Sequence, residues 1–430
     1  VLCEYAHSMG NSTGNLKEYL DLIRSHKRLI GGYIWDWIDP GLAEADAAGK
    51  KYWGYGGDYE TPTDHNDGNF CLYGIISPHR TGKPALWECQ YIFQPIEFLP
   101  DATAAGKVIV RNRNFFSPSD VYDYSWELRN ESKVLQRGTL TVPATAPGQS
   151  ANVSIPLKPI KAEAGAEYWL ELKAVLKEAT LYAPAGHTVA GEQFAFPAVA
   201  GKALRKEPRG TLSLERTGGT VNIKGKDFTV NISEATGYLC GYTYSGKDMI
   251  VSPVSPNFWR ADTDNDWRGW RTQQRLGFWK SAPDNLQTVS MDVREGNDKV
   301  IITVNKAVDK MDREALSGVA GRKITLALTY TVTPDGMVDV AYALDVADND
   351  LPEMLRVGLQ FEVDGAMDLM EFYGKGPYEN YSDRSQASFV GTYKGKVGDF
   401  ITEYVKPQEN ANHTGVRWLA LRDRSGNGLQ

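Results

Sequence analysis

The chain has 430 residues, 42% of them hydrophobic and 23% charged, with a formal net charge of −7. That length accommodates about two to four domains with sizeable cores. The acidic balance argues against nucleic acid or an anionic membrane as partner, and no apolar run approaches the ~18 residues of a membrane-spanning helix. Four cysteines (Cys3, Cys71, Cys89, Cys240) form no CxxC pair and six histidines show no ligand spacing, so free, mostly buried thiols and no metal site are expected.

The chain opens on a short apolar run that delivers a carboxylate, Val1-Leu2-Cys3-Glu4, followed by the Gly/Asn/Ser-rich turn Ser8-Met9-Gly10-Asn11. Residues 15–26 predict a helix, with Leu16, Tyr19, Leu20 and Ile23 on one face and Lys27-Arg28 at its C-terminal end. Residues 29–38 then read as a buried strand ending in Trp35-Asp36-Trp37-Ile38-Asp39. Strand, helix, strand with polar and aromatic groups at the strand ends is the pattern of the last units of a (β/α)₈ barrel, whose chemistry sits at that face. Residues 40–83 read as a long Gly/Asp-rich loop, which at that length is usually functional. Pro84 opens a short helix that Pro95 closes.

From about residue 96 alternating strands take over: 107–112, 124–128, 138–142 and 167–172, bounded by turn residues at short spacing. That is an immunoglobulin-like sandwich signature, without a cysteine pair across it. The segments 199–202 and 208–210 mark the next boundary. Longer strands follow at 221–223, 228–232, 299–304, 324–330 and 338–344, with one short helix near 270–278, which fits a large antiparallel sandwich. The fold expected is multidomain and mainly β: barrel end over 1–95, immunoglobulin-like sandwich over 96–200, and a β-supersandwich over 208–430. With Val1 inside a strand and only two barrel units visible, the chain is expected to be a C-terminal piece of a longer polypeptide, itself incomplete at its C-terminus. Eleven Trp and 22 Tyr suit a sugar-binding surface and a β-sandwich core equally.

A Glu after a strand is commonly a solvated loop residue, and Trp35 and Trp37 alone are ordinary core aromatics. The whole string says more. Cys3-Glu4-Tyr5-Ala6-His7-Ser8-Met9-Gly10-Asn11, then Gly31-Gly32-Tyr33-Ile34-Trp35-Asp36-Trp37-Ile38-Asp39, resembles the nucleophile segment and the next strand of glycoside hydrolase family 2, specifically its large bacterial β-galactosidases. Three later blocks extend the resemblance over essentially the whole chain: 257–266, 372–384 and 404–410.

The resemblance implies retaining hydrolysis of terminal β-D-galactosyl residues through a covalent galactosyl-enzyme on Glu4. Two carboxylates about 5–5.5 Å apart are needed. The second, the acid/base, lies on an earlier strand of the family, so the isolated chain is expected to be inactive. His7 matches the family's sugar-contacting histidine and Trp35 the indole floor of the sugar site, with Phe70 lining the pocket. Asp36 is read as bracing the strand end, and Trp37 and Asp39 as supporting or structural. The family's magnesium ligands lie outside this chain. Its sodium site uses an amide where this chain has Tyr73, a poor ligand for a hard cation, which argues against sodium here. Asp262, Asp264 and Asp266 lack the Gly and bidentate Glu of a calcium loop and are read as an acidic loop cluster packed toward the barrel. A homo-oligomer in the cytoplasm or periplasm of a bacterium is implied. The alternatives are a sister activity on the same scaffold (β-glucuronidase or β-mannosidase) and a non-catalytic glycan-binding or scaffold sandwich.

Overall fold

The computed structural model describes residues 1–59, 63–101, 106–131, 133–197, 208–296, 298–308, 324–346 and 351–430. The boundary expected at 199–202 lies outside them. The described residues form two compact units, Val1–Leu204 with Leu369–Ala420 and Gln430, and Arg205–Asp368 with Leu421–Leu429. Leu369–Ala420 thus belongs to the first unit, although the sequence reads 208–430 as one domain. The chain is mainly β, as expected.

In the first unit, β1 (Leu2–Tyr5) runs into α1 (Leu16–Ser25), which returns the chain to β2 (Gly32–Ile34), parallel to β1. Leu16, Leu20 and Ile23 of α1 are buried, as their spacing requires. Tyr19 is half exposed and meets Tyr5 edge-on at 5.7 Å. The buried strand read over 29–38 shortens to three residues, of which Tyr33 is exposed and Gly32 and Ile34 are half-buried, Ile34 packing against the cluster that holds Tyr5, Leu16 and Ile75. The stretch 40–83 is not structureless. It carries the hairpin β3 (Leu42–Ala45) and β4 (Lys51–Gly54), closed by Asp46, whose carboxylate accepts the Ala48 and Lys50 N–H groups. Next comes α2 (Pro84–Ile92), with Pro at its first turn.

Seven strands then form a sandwich. One sheet orders β5 (Ile96–Pro100), β6 (Lys107–Asn112) and β9 (Ser150–Ser154). The other orders β11 (Thr188–Ala195), β10 (Tyr168–Leu176), β7 (Tyr122–Asn130) and β8 (Lys133–Thr139). β10 alternates buried and outward residues along its length, and Leu170, Leu172 and Ala174 enter one core with Phe98, Val110 and Trp126. The strand expected at 138–142 lies earlier, at 133–139. Leu369–Gly376 and Phe389–Lys396 pair as a hairpin anchored on this sandwich, where Gln193 exchanges two hydrogen bonds with the Val390 backbone at 2.7 and 2.8 Å.

The second unit pairs a five-stranded and a four-stranded antiparallel sheet. Val300–Val308, Ile324–Val332 and Val338–Val346 lie in uninterrupted register, and alternate residues, among them Val300, Ile302, Val304, Leu326, Leu328 and Tyr330, fill the core against Val221, Ile223, Val230 and Ile232. Around 270–278 the chain makes two short helices, Thr272–Leu276 and Phe278–Ser281, in place of one. In the acidic loop, Asp266 accepts bonds from Arg260 at 2.6 Å and from Thr263, and Asp262 from Gln273. Of the four free cysteines only Cys89 is buried, so the expectation of mostly buried thiols fails. Among the described residues no helix is long and apolar enough to cross a membrane.

Lys306 is buried in the second unit. Its ammonium donates to the Thr236 carbonyl at 2.6 Å and to Thr288 Oγ1 at 3.1 Å, and lies 4.3 Å from the centre of the Tyr238 ring. Burial pushes its pKa down to about 8. The unfolded chain therefore binds this proton more tightly than the folded one, and Lys306 adds stability as pH rises from about 8 to about 10.5. Unfolding free energies of the wild type and Lys306→Met, compared at pH 7 and pH 10, are expected to shift in the wild type's favour by on the order of 3 kcal/mol. A pH-independent difference would contradict this account.

Candidate active site

Three extended segments lie side by side behind the opening carboxylate. The Leu2 N–H donates to the Gly31 carbonyl at 2.9 Å, Trp35 N–H to Tyr5 at 3.1 Å, and Ser8 N–H to Trp35 at 2.6 Å. On the other side, Asp36 N–H donates to Tyr73 at 2.6 Å, and Ile75 and Ile76 N–H reach Asp36 and Trp37 at 3.0 and 3.1 Å. The first and second segments are thus tied at residues 5–8, where β1 ends, and the second and third at residues 36–39.

At this end the structure brings His7, Trp35, Phe70 and Tyr73 together. The His7 ring lies 5.2 Å from Phe70 and 5.7 Å from Tyr73, and Trp35 lies 5.7 Å from Tyr73. Glu4 is exposed and near enough for its charge to act on His7 and Tyr73. Burial lowers the His7 pKa and the Glu4 carboxylate partly opposes it, which favours a neutral imidazole near pH 7. His7 Nε2 is buried and has no hydrogen-bond partner among the described residues. Burial, and then the nearby Asp36 carboxylate, raise the Tyr73 pKa, so this phenol stays protonated.

The other expected site residues are placed differently. Asp36 accepts the Trp37 N–H at 2.5 Å, and the Trp37 indole is 60% exposed. Asp39 is buried in an ion pair with Lys83, Nζ lying 3.0 and 3.1 Å from the two carboxylate oxygens. Asp39 also accepts the Gly74 N–H at 2.6 Å, and Lys83 reaches the Ser8 carbonyl at 3.5 Å.

Sequence reasoning missed Lys83 and a second group, Asn11, Glu379, Arg384 and Tyr404. Arg384 and Glu379 form an ion pair at 3.1 Å whose side chains are 4% and 0% exposed. Arg384 also donates to the side chain of Asn11. Lys83 had one signal, its place just before the Pro that opens α2. Nothing in the 372–384 block discloses a partner more than 370 positions earlier.

Family models match nearly the whole chain in three parts. Residues 1–98 match the model described as glycosyl hydrolases family 2, TIM barrel domain; residues 108–197 match β-galactosidase, domain 4; and residues 224–430 match β-galactosidase small chain. Among curated proteins, the β-galactosidase of Priestia megaterium is 33% identical over 431 residues, covering 100% of this chain and 40% of that protein. The β-galactosidase of Halalkalibacterium halodurans is 33% identical over 437 residues, with 100% and 41% covered. β-Galactosidase 2 of Enterobacter cloacae is 33% identical over 441 residues, again with 100% and 41% covered. The chain thus spans about 40% of the length of these relatives. A solved structure, the cycloalternan-forming enzyme of Listeria monocytogenes with a pentasaccharide substrate, overlaps at a TM-score of 0.20 and 12% identity over 67% of this chain and 23% of its own, too slight a likeness to carry an argument. Barrel end, domain 4 and small chain follow one another along these 430 residues in a single order, and by them the chain belongs to glycoside hydrolase family 2.

Proposed function

We propose that the chain forms part of a retaining glycoside hydrolase that removes terminal β-D-galactosyl residues, with Glu4 as nucleophile. The observation that carries this reading is the gathering of His7, Trp35, Phe70 and Tyr73, with Glu4 close enough for its charge to act on His7 and with His7 Nε2 buried and unpartnered among the described residues. A neutral imidazole in that position offers a sugar hydroxyl a hydrogen bond, and an indole or phenyl face packs on the C–H side of a pyranose ring. Glu4 would attack the anomeric carbon as the glycosidic C–O bond breaks, while a second carboxylate gives its proton to the leaving oxygen. Water, deprotonated by that same group, would then release the sugar and regenerate Glu4. The second carboxylate and the ligands of a magnesium ion are assigned to residues outside this chain, so the isolated 430 residues would not turn over. Tyr73 does not suit a sodium ion: a protonated phenol stands where an amide carbonyl is needed. A homo-oligomer, in the cytoplasm or periplasm, belongs to the same reading.

The test treats the whole enzyme with a 2-deoxy-2-fluoro-galactoside bearing a good leaving group, then maps the adduct by peptide mass spectrometry. A label on Glu4 is expected. Labelling only by the glucuronide or mannoside analogue would overturn the galactosidase assignment, and no label from any of them on folded protein would overturn the catalytic reading.

A further inference from the structure

Glu4 and His7 flank the start of a segment whose backbone repeatedly enters a disfavoured region. Between β1 and α1 the backbone enters the left-handed region at Ala6 (φ 46°), Gly10 (φ 58°), Thr13 (φ 69°) and Asn15 (φ 56°). For Ala and Thr that conformation is disfavoured and persists only where surrounding contacts over-determine it. A few contacts come from nearby in sequence: Thr13 Oγ1 donates to Ser8 Oγ at 2.8 Å, and Ser8 Oγ to the Ala6 carbonyl at 2.9 Å.

Most of the rest come from residues 379–411. Arg384 donates from Nη1 to the Ser12 carbonyl and from Nη2 to Asn11 Oδ1 at 2.8 Å. Asn11 spends its remaining groups on the same region: N–H to Gln408 Oε1 at 2.9 Å, and Nδ2 to Tyr381 Oη at 2.9 Å and the Glu409 carbonyl at 2.8 Å. The Asn15 N–H donates to the Asp383 carbonyl at 2.7 Å, and the chain passes so close at Gly14 that a Cβ there would lie 1.9 Å from Asp383 Oδ2. Arg384 is itself fixed. Glu379 pairs with it, and Glu379 in turn accepts the Tyr404 hydroxyl and the Ala411 N–H at 2.7 Å.

A planar guanidinium suits this task, because its fork addresses a carbonyl, an amide oxygen and a carboxylate at fixed angles, which a point-charge ammonium does not. We infer that Arg384, oriented by Glu379 and Tyr404, is a positioning residue for Glu4 and His7: it fixes the 6–15 segment through Asn11 and Ser12. The inference rests on the proposed roles of Glu4 and His7. Residues 379–411 thereby become part of the catalytic apparatus without touching the sugar.

The test uses the whole enzyme and two variants, Arg384→Lys and Asn11→Ala; the second leaves the Arg384–Glu379 pair in place. Active sites are counted by the burst of leaving group from the 2-fluoro-galactoside, and kcat, KM and the trapping rate are expressed per counted site. Misplacing a reacting group by about 1 Å costs on the order of 100-fold in rate. Each variant is therefore expected to lose about 10- to 100-fold in kcat and in trapping rate per site, with KM changed much less. A purely structural role would lower the number of counted sites and the unfolding midpoint but leave the rates per site at the wild-type value, and that result would overturn the inference. If Arg384→Lys does not fold, Asn11→Ala decides by the same criterion. Absence of label on Glu4 in the wild type would instead sink the functional reading itself.

Discussion

Replacing Glu4 by Gln in the whole enzyme is expected to lower kcat for galactoside hydrolysis by roughly 10⁴- to 10⁶-fold, the range seen when a covalent nucleophile is removed. The amide matches the carboxylate in shape, so the loss isolates chemistry from packing. The unfolding midpoint should accordingly stay where it is while turnover disappears. Glu4→Gly sharpens the result. With azide added, the small anion enters the space left by the side chain, forms the new bond at the anomeric carbon and displaces the leaving group with inversion. An α-galactosyl azide is the expected product, and only loss of the nucleophile explains it. A Glu4→Gln enzyme that hydrolyses at the wild-type rate would remove Glu4 from the mechanism.

What could be read in the sequence divides along a physical line. The strand 107–112 emerges at its observed bounds, and α2 at its observed start, because each rests on local information: period-two alternation in one, a Pro at the first helical turn in the other. The alternating run read over 324–330 is legible for the same reason, and the strand continues to Val332. The hairpin at 42–54 was open to the same kind of reading. Asp46 and Gly49 bound its turn, but its strands carry Leu-Ala-Glu-Ala and Lys-Tyr-Trp-Gly, with too little alternation to stand out. The segment 29–38 misled because its Gly-Gly-Tyr-Ile-Trp composition reads as buried, whereas only three residues of it form a strand. At the site, Glu4, His7 and Trp35 were legible as members of two long strings. Lys83 and Arg384 were not, since a basic residue normally marks a solvated surface. Each is buried by a partner that folding alone brings near: Asp39, 44 positions away, and Asn11, 373 positions away.

The Asp39–Lys83 pair carries the other large effect. Both side chains are almost wholly buried, so removing one leaves the other's charge away from water without this counter-ion. Lys83→Met is expected to destabilise the first unit by about 3–5 kcal/mol, read by chemical denaturation. Replacing both, as Asp39→Leu with Lys83→Met, should recover most of that loss, since a well-packed apolar pair often equals a buried ion pair in stability. Activity should not return with it. Asp39 also holds the Gly74 N–H, and Lys83 the Ser8 carbonyl, which ties the segment after Glu4 to the one that carries Tyr73. An apolar pair fills the volume without making either bond. The double variant is therefore expected to unfold near the wild-type midpoint yet retain a reduced kcat per counted active site. Equal recovery of stability and of kcat would mean that the pair serves the fold alone. Recovery of neither would mean that the hydrogen bonds to Gly74 and Ser8, and not the charges, account for the pair's contribution to stability.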